Sequence, residues 1–153
     1  MKYSVDTSAI LNAWNRYYPP DVFPTIWEGI DDLIVRGVLI STEEVLVELE
    51  RKDDDVHAWA KAHGKFSIPL DEQIQIVVAR ILQQFPRLVD TRRNRSGADP
   101  FVIALAVVEE CAVVTYEGRS NSQDRPHIPD VCDAMGIRCI DVLQLIREQK
   151  WVI

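Results

Sequence analysis

Tyr3-Ser4-Val5-Asp6-Thr7-Ser8, residues 3–8, compresses a strand, an acid and a helix start into one short stretch. Tyr3-Ser4-Val5 reads as a buried strand that ends on Asp6, and the hydroxyls of Thr7 and Ser8 open a helix. Three further carboxylates, Glu48, Asp99 and Glu117, fall at or near other places where a short apolar strand gives way to a helix. If the strands run parallel, all four acids gather at one edge of the sheet. The carboxyl edge of an open parallel sheet is where such folds keep their sites.

Working outward, Ser8 to Asn15 is expected to form a short helix that stops at the Tyr17-Tyr18-Pro19-Pro20 turn. Pro24 suits the first position of a helix that Gly37 terminates. Val38-Leu39-Ile40 reads as a second buried strand, and Ser41-Thr42-Glu43-Glu44 matches a capping box that makes Glu44 structural. A helix over 53–63, a short strand at Phe66-Ser67-Ile68 and a long helix over 71–85 follow. Residues 86–97 are polar and basic, a loop. Phe101 to Cys111 is apolar nearly all round and reads as a buried central helix ahead of a strand over Ala112 to Thr115. A helix near Pro129 to Met135, a strand over Arg138 to Ile140 and a last helix from Asp141 complete the chain. Strands alternating with helices predict an α/β fold, a three-layer α/β/α sandwich around a parallel sheet of about four to five strands.

The 153 residues favour one domain, 1–153, and a hydrophobic content of 47% is enough for one sizeable core. The longest apolar run, Phe101 to Val108, is far too short for a bilayer, and the first residues lack the apolar stretch of a signal peptide. A soluble, cytoplasmic protein without membrane association is expected. Cys111, Cys132 and Cys139 lack metal-ligand spacing and read as reduced thiols. The net charge of −7 argues against nucleic acid on average. The charges segregate, however: Arg92, Arg93 and Arg95 precede Asp99, and the stretch from Arg119 to Arg125 follows Glu117.

Each acid has an ordinary explanation. An Asp between strand and helix is usually an N-cap, but Thr7 and Ser8, both good caps, follow Asp6 at once and leave it free to point off the strand end. Asp99 before Pro100 is close to an ideal helix start, a role compatible with metal binding because a carboxylate has about four lone-pair sites. Glu48 lies one turn after Glu44, a like-charge pair that helix propensity does not explain, among Val45, Leu46 and Leu49 on the packed side. Glu117 follows the strand that ends at Thr115, as Asp6 follows its own. Carboxylates about 4 Å apart repel by about 4 kcal/mol at an effective dielectric of about 20, so such a cluster must take up protons or cations. Hard oxygen ligands without His or Cys select Mg²⁺ or Mn²⁺ and suit phosphoryl chemistry.

Asp6-Thr7-Ser8-Ala9 after a strand, Glu48-Leu49, Ala98-Asp99-Pro100-Phe101-Val102-Ile103-Ala104 and Val113-Val114-Thr115-Tyr116-Glu117 together resemble the PIN-domain ribonucleases, which include the VapC-like toxins of type II toxin-antitoxin pairs. The resemblance spans nearly the whole chain. Tyr18-Pro19-Pro20, Trp27 and Ile128-Pro129-Asp130-Val131-Cys132 look like a PIN-like subgroup of uncharacterised proteins. It implies Mg²⁺- or Mn²⁺-dependent endoribonuclease activity by in-line hydrolysis, leaving a 5′ phosphate and a 3′ hydroxyl. It implies metal-binding, catalytic roles for Asp6, Glu48, Asp99 and Glu117, with Thr7 or Ser8 as the supporting hydroxyl. RNA is the expected substrate, seated by Arg92, Arg93, Arg95 and Arg119, an antitoxin protein the expected partner and a homodimer the expected assembly. Two departures from the family pattern stand out. The fourth acid is Glu rather than Asp, and the loop after it lacks an aromatic residue, so Asp124 or Asp130 could stand in for Glu117.

Two other classes compete. A non-catalytic PIN-like protein-binding module would keep these acids as helix caps. A receiver-type signalling domain would need a phosphoacceptor Asp after its third strand and a Lys after its last. Leu70-Asp71 follows the third strand, but no Lys follows Ile140.

Overall fold

The central strand is buried on both faces because both faces are covered. In a computed structural model that describes residues 1–89, 97–122 and 124–153, strand β1 (Tyr3–Val5) is buried at every position. It lies between β2 (Leu39–Thr42) and β4 (Ala112–Val114), with β3 (Ser67–Ile68) and β5 (Cys139–Ile140) at the edges. The order is β3-β2-β1-β4-β5 and every pairing is parallel, with Tyr3 opposite both Leu39 and Ala112. Helices flank this single sheet in a three-layer α/β/α sandwich, as the alternating pattern predicts.

The connections are α1 (Thr7–Asn12), a π-helical turn (Ala13–Tyr17), α2 (Pro24–Val35), α3 (Glu43–Lys52), α4 (Asp54–Ala62), α5 (Glu72–Gln84), α6 (Asp99–Glu109) and α7 (Ile128–Met135), with α8 (Val142–Glu148) last. From β1 the chain steps outward to β2 and β3. It then returns through α5 and α6 to β4, on the other side of β1. Right-handed crossovers therefore put α1 to α4 on one face and α5 to α7 on the other. The direction of winding reverses between β1 and β4, so the crevice beyond their carboxyl ends is the topological switch point of the sheet.

Helix α6 is apolar around its circumference because it is enclosed. Val102, Ile103, Ala104 and Leu105 are fully buried, and Ser4 Oγ on β1 donates 2.8 Å to the Val102 carbonyl, tying strand to helix. No helix among the described residues is long and apolar enough to cross a membrane. Trp14, Trp27 and Trp59 cluster with ring centroids 4.9 to 6.0 Å apart and pack against the core, as expected of anchors. The cysteines are free, Cys132 buried and the other two half-buried.

Two local expectations are corrected. Thr42, not Ser41, caps α3: its hydroxyl accepts from the Glu44 amide, while Ser41 belongs to β2 and donates to the Val5 carbonyl at 2.7 Å. A serine buried between two parallel strands finds its partner on the neighbouring strand, and the capping box is lost with the one-residue shift. Asp6 is itself the N-cap of α1, accepting from the Ala9 amide at 2.9 Å, and Thr7 and Ser8 are already helical.

Trp151 lies flat on Gly29 of α2, where a Cβ would come 2.6 Å from its ring. Gly29→Ala is therefore expected to lower the urea midpoint, with overpacking of about 1–3 kcal/mol outweighing the gain of about 1 kcal/mol in helix propensity. In a Trp151→Ala background the same substitution should become neutral or stabilising, and an unchanged penalty there would exclude this contact as its cause. Across the molecule, Arg138 grips Glu148 through both nitrogens, with Tyr3 donating to the same carboxylate. The Arg138 contact, with help from the Tyr3 hydroxyl, holds Glu148 below its usual 4.5, at about 2. A carboxyl depressed in the folded state stabilises above its unfolded value and loses that stabilisation as pH falls toward the folded one. Glu148→Gln should thus be destabilising at pH 7 and nearly silent at pH 2. A stability difference independent of pH across that window would contradict this.

Candidate metal centre

The switch-point crevice collects the acids. Asp6 closes β1, Asp99 opens α6 and Glu117 follows β4, and one carboxylate oxygen from each lies within 4.8 Å of the others. Three separate segments, the end of β1, the start of α6 and the loop after β4, thus deliver negative charge to a single point.

Asp6 is the most enclosed of them, at 3% exposure. Its Oδ1 accepts from the Ala9 amide at 2.9 Å, its Oδ2 from Thr115 Oγ1 at 2.7 Å, and Ser8 Oγ lies 3.0 Å from both oxygens. The hydroxyl protons are assigned by their other partners. Ser8 Oγ accepts from the Tyr116 amide and Thr115 Oγ1 from the Glu117 amide, each at 3.1 Å, so both hydroxyls direct their single proton to Asp6. The same pair of bonds sets the backbone of residues 116 and 117 and so aims the Glu117 side chain. Burial pushes the Asp6 carboxyl up to about 7, with the Glu117 charge adding to the shift. The Thr115, Ala9 and Ser8 donors oppose it. With about four lone-pair sites on a carboxylate and three donors present, Asp6 keeps one direction for a cation.

Glu117 accepts from the Ile128 amide at 3.3 Å, at the start of α7. It belongs to the trio, whereas its substitutes do not. Asp130 is held by the amides of Ser120, Asn121 and His127 and by the Ser120 hydroxyl, which pull its carboxyl down to about 2 against the effect of burial. Its work is to fold the loop between β4 and α7. Asp124 is exposed and outside the group.

Glu48 departs from expectation. It is buried at 7% exposure on α3, but it is not one of the three acids that converge. It accepts a close hydrogen bond from Thr7 Oγ1 instead, so it adjoins the centre through the residue next to Asp6. The two candidate supporting hydroxyls therefore divide the task, Ser8 on Asp6 and Thr7 on Glu48. Arg119 is met by Asp133 in a two-pronged pair of 2.5 and 2.9 Å, so phosphate would have to displace a carboxylate to reach it. Arg92, Arg93 and Arg95 lie outside the described residues.

Thr115 is the residue that sequence reasoning missed. A readable signal existed: a buried hydroxyl just after the apolar strand β4 must find a partner inside the protein, and the neighbouring strand β1 is followed by an acid.

Three carboxylates and no nitrogen or sulfur ligand make a hard-oxygen donor set that fits Mg²⁺ or Mn²⁺ and not a structural zinc. Among curated proteins none matches the chain. Residues 3–153, which carry every one of these acids, match the model of a domain of unknown function, DUF4411, and the chain belongs to that family.

Proposed function

We propose that the protein is a Mg²⁺- or Mn²⁺-dependent endoribonuclease of the PIN type. The observation that carries this reading is the convergence of Asp6, Asp99 and Glu117 within 4.8 Å at the switch point between β1 and β4. These three would hold the cation, which supplies charge neutralisation at the scissile phosphate and a water of lowered pKa.

The remaining steps belong to the chain's own residues. Ser8 and Thr115 keep Asp6 from rotating and leave one oxygen direction open toward the crevice. The Ile128 amide holds Glu117 in place across it. Thr7 ties Glu48, the second buried acid of this edge, to the start of α1, where it would bear on the centre through Thr7 or through water. An antitoxin partner with a basic segment accords with the acidic net charge of −7.

Mn²⁺ titration followed by electron paramagnetic resonance, together with cleavage of a fluorescent single-stranded RNA, tests the proposal. Metal binding and cleavage that EDTA abolishes and added Mg²⁺ or Mn²⁺ restores are the expected results. Mn²⁺ binding without cleavage of any RNA would leave a binding module. Absence of binding would sink the metal centre itself.

A further inference from the structure

Next to the acids is an aromatic cavity that the nuclease reading does not use. It has a volume of about 190 Å³, and its lining includes Ala9, Tyr17, Tyr18, Tyr116, Asp141 and Leu143. Pockets for drug-sized ligands run from about 300 to 1,000 Å³, so this one has room for a single flat ring system. Tyr17, Tyr116 and Leu143 are each more than 40% exposed, an unusual collection of large side chains to leave in water. The Tyr17 and Tyr116 rings lie 5.1 Å apart with their hydroxyls in contact and form one wall.

Two features tie this cavity to the acid centre. Tyr116 sits between Thr115, which binds Asp6, and Glu117, and its amide donates to Ser8. Ala9, another lining residue, donates its amide to Asp6. The wall that Tyr17 shares with Tyr116 is positioned by an irregular backbone. The chain leaves α1 through the π-helical turn, in which the Tyr18 amide reaches back to the Ala13 carbonyl at 2.8 Å, and this turn carries Tyr17 to the cavity. Single π-turns are rare and recur at functional sites.

We propose that this cavity is a nucleobase subsite, which receives an unpaired base of the RNA whose backbone crosses the acid centre. The proposal rests on the nuclease reading for its substrate. Tyrosine rings stack on any base face and tolerate sequence. Asp141 refines the choice. Its carboxylate repels phosphate but accepts from an exocyclic amino group, so cytosine and adenine suit the cavity better than uracil. Asp141 Oδ1 caps α8 through the Gln144 amide, a role that Asn fills as well.

Nuclear magnetic resonance titration with CMP, AMP, UMP and ribose 5-phosphate tests the subsite without requiring cleavage, since none of these contains a phosphodiester. CMP and AMP should shift the signals of Ala9, Tyr17 and Tyr116, and ribose 5-phosphate should not. Tyr17→Ala should weaken CMP binding about 5- to 150-fold, the range expected for loss of one stacking ring. Asp141→Asn should narrow the preference for CMP over UMP while α8 stays folded. Equal shifts with ribose 5-phosphate, or unchanged CMP affinity in Tyr17→Ala, would overturn the subsite. Base-dependent binding in a protein that cuts no RNA would support the subsite and remove the nuclease. Cleavage without base-dependent binding would do the reverse.

Discussion

Asp99→Asn is expected to lower Mg²⁺-dependent RNA cleavage about a thousandfold or more, equivalent to about 4 kcal/mol of transition-state stabilisation, while leaving the fold intact. The two effects separate because Asp99 is not the N-cap of α6 and Asn can keep the hydrogen-bonding shape of its side chain. Asp99 is the first residue of α6, whose N-cap is Ala98. A negative charge there helps the helix dipole by about 0.3–1 kcal/mol, which is the stability the variant should lose. Asn preserves the size of the side chain and removes its negative charge. The rate of cleavage under single-turnover conditions, with circular dichroism as the control for folding, reads both. A well-folded Asp99→Asn protein that keeps more than a tenth of the activity would exclude Asp99 from the centre.

Asp6→Asn should show the opposite balance between stability and activity. In metal-free protein the carboxyl of Asp6 is pushed up to about 7 in the folded state from an ordinary value of 3.8, chiefly by burial. A raised value means that the folded state binds the proton more tightly than the unfolded chain. Stability is then greatest below pH 4 as far as this group is concerned, and it declines as pH rises from about 4 to 7. Asn carries no charge, so Asp6→Asn should stabilise the metal-free protein at pH 8, by about 1–3 kcal/mol, and have little effect at pH 4. The Ala9 and Ser8 contacts persist with the amide oxygen, and the Thr115 hydroxyl can turn to accept from the amide nitrogen. Cleavage should be lost with the charge. Denaturant melts at both pH values, with and without Mn²⁺, check the sign: Mn²⁺ should stabilise the parent protein and not the variant. A variant less stable than the parent at pH 8 without metal would show that Asp6 is held as a structural acceptor only.

These two acids stand in different conditions despite sharing a site. Asp6 is boxed in by donors from its own helix and from Thr115 just after β4, so its position is over-determined and its ionisation is costly. Asp99 arrives from the far face of the sheet at the tip of a buried helix. Pairing an enclosed carboxylate with others that approach from separate elements gathers negative charge that a proton or a cation relieves.

Much of this was open to inspection before folding. Period and punctuation located the strands because a parallel sheet covered on both faces demands short, mostly apolar segments, and Tyr3-Ser4-Val5 and Ala112-Val113-Val114 meet that demand, with Ser4 satisfied by the Val102 carbonyl. The places where acids follow strands were visible for the same reason. Errors arose where one residue of register decides the outcome. Ser41 and Thr42 are chemically near-equivalent caps, and the sheet, by burying Ser41 against Val5, left Thr42 to cap α3.

By itself, then, the sequence determined the alternation of strands and helices, the enclosure of α6 and the placement of Asp6, Asp99 and Glu117 at strand and helix ends, because these follow from local polarity and chain geometry. Tertiary structure alone decided which acids meet. The order β3-β2-β1-β4-β5 puts the reversal of winding between β1 and β4, so the acids that end or follow those two strands converge with Asp99. Glu48, on the helix after β2, is turned to Thr7 instead. Distance between residues 48 and 117 along the chain says nothing of this, since convergence depends on which strands become neighbours, and that is settled by the burial of the whole core.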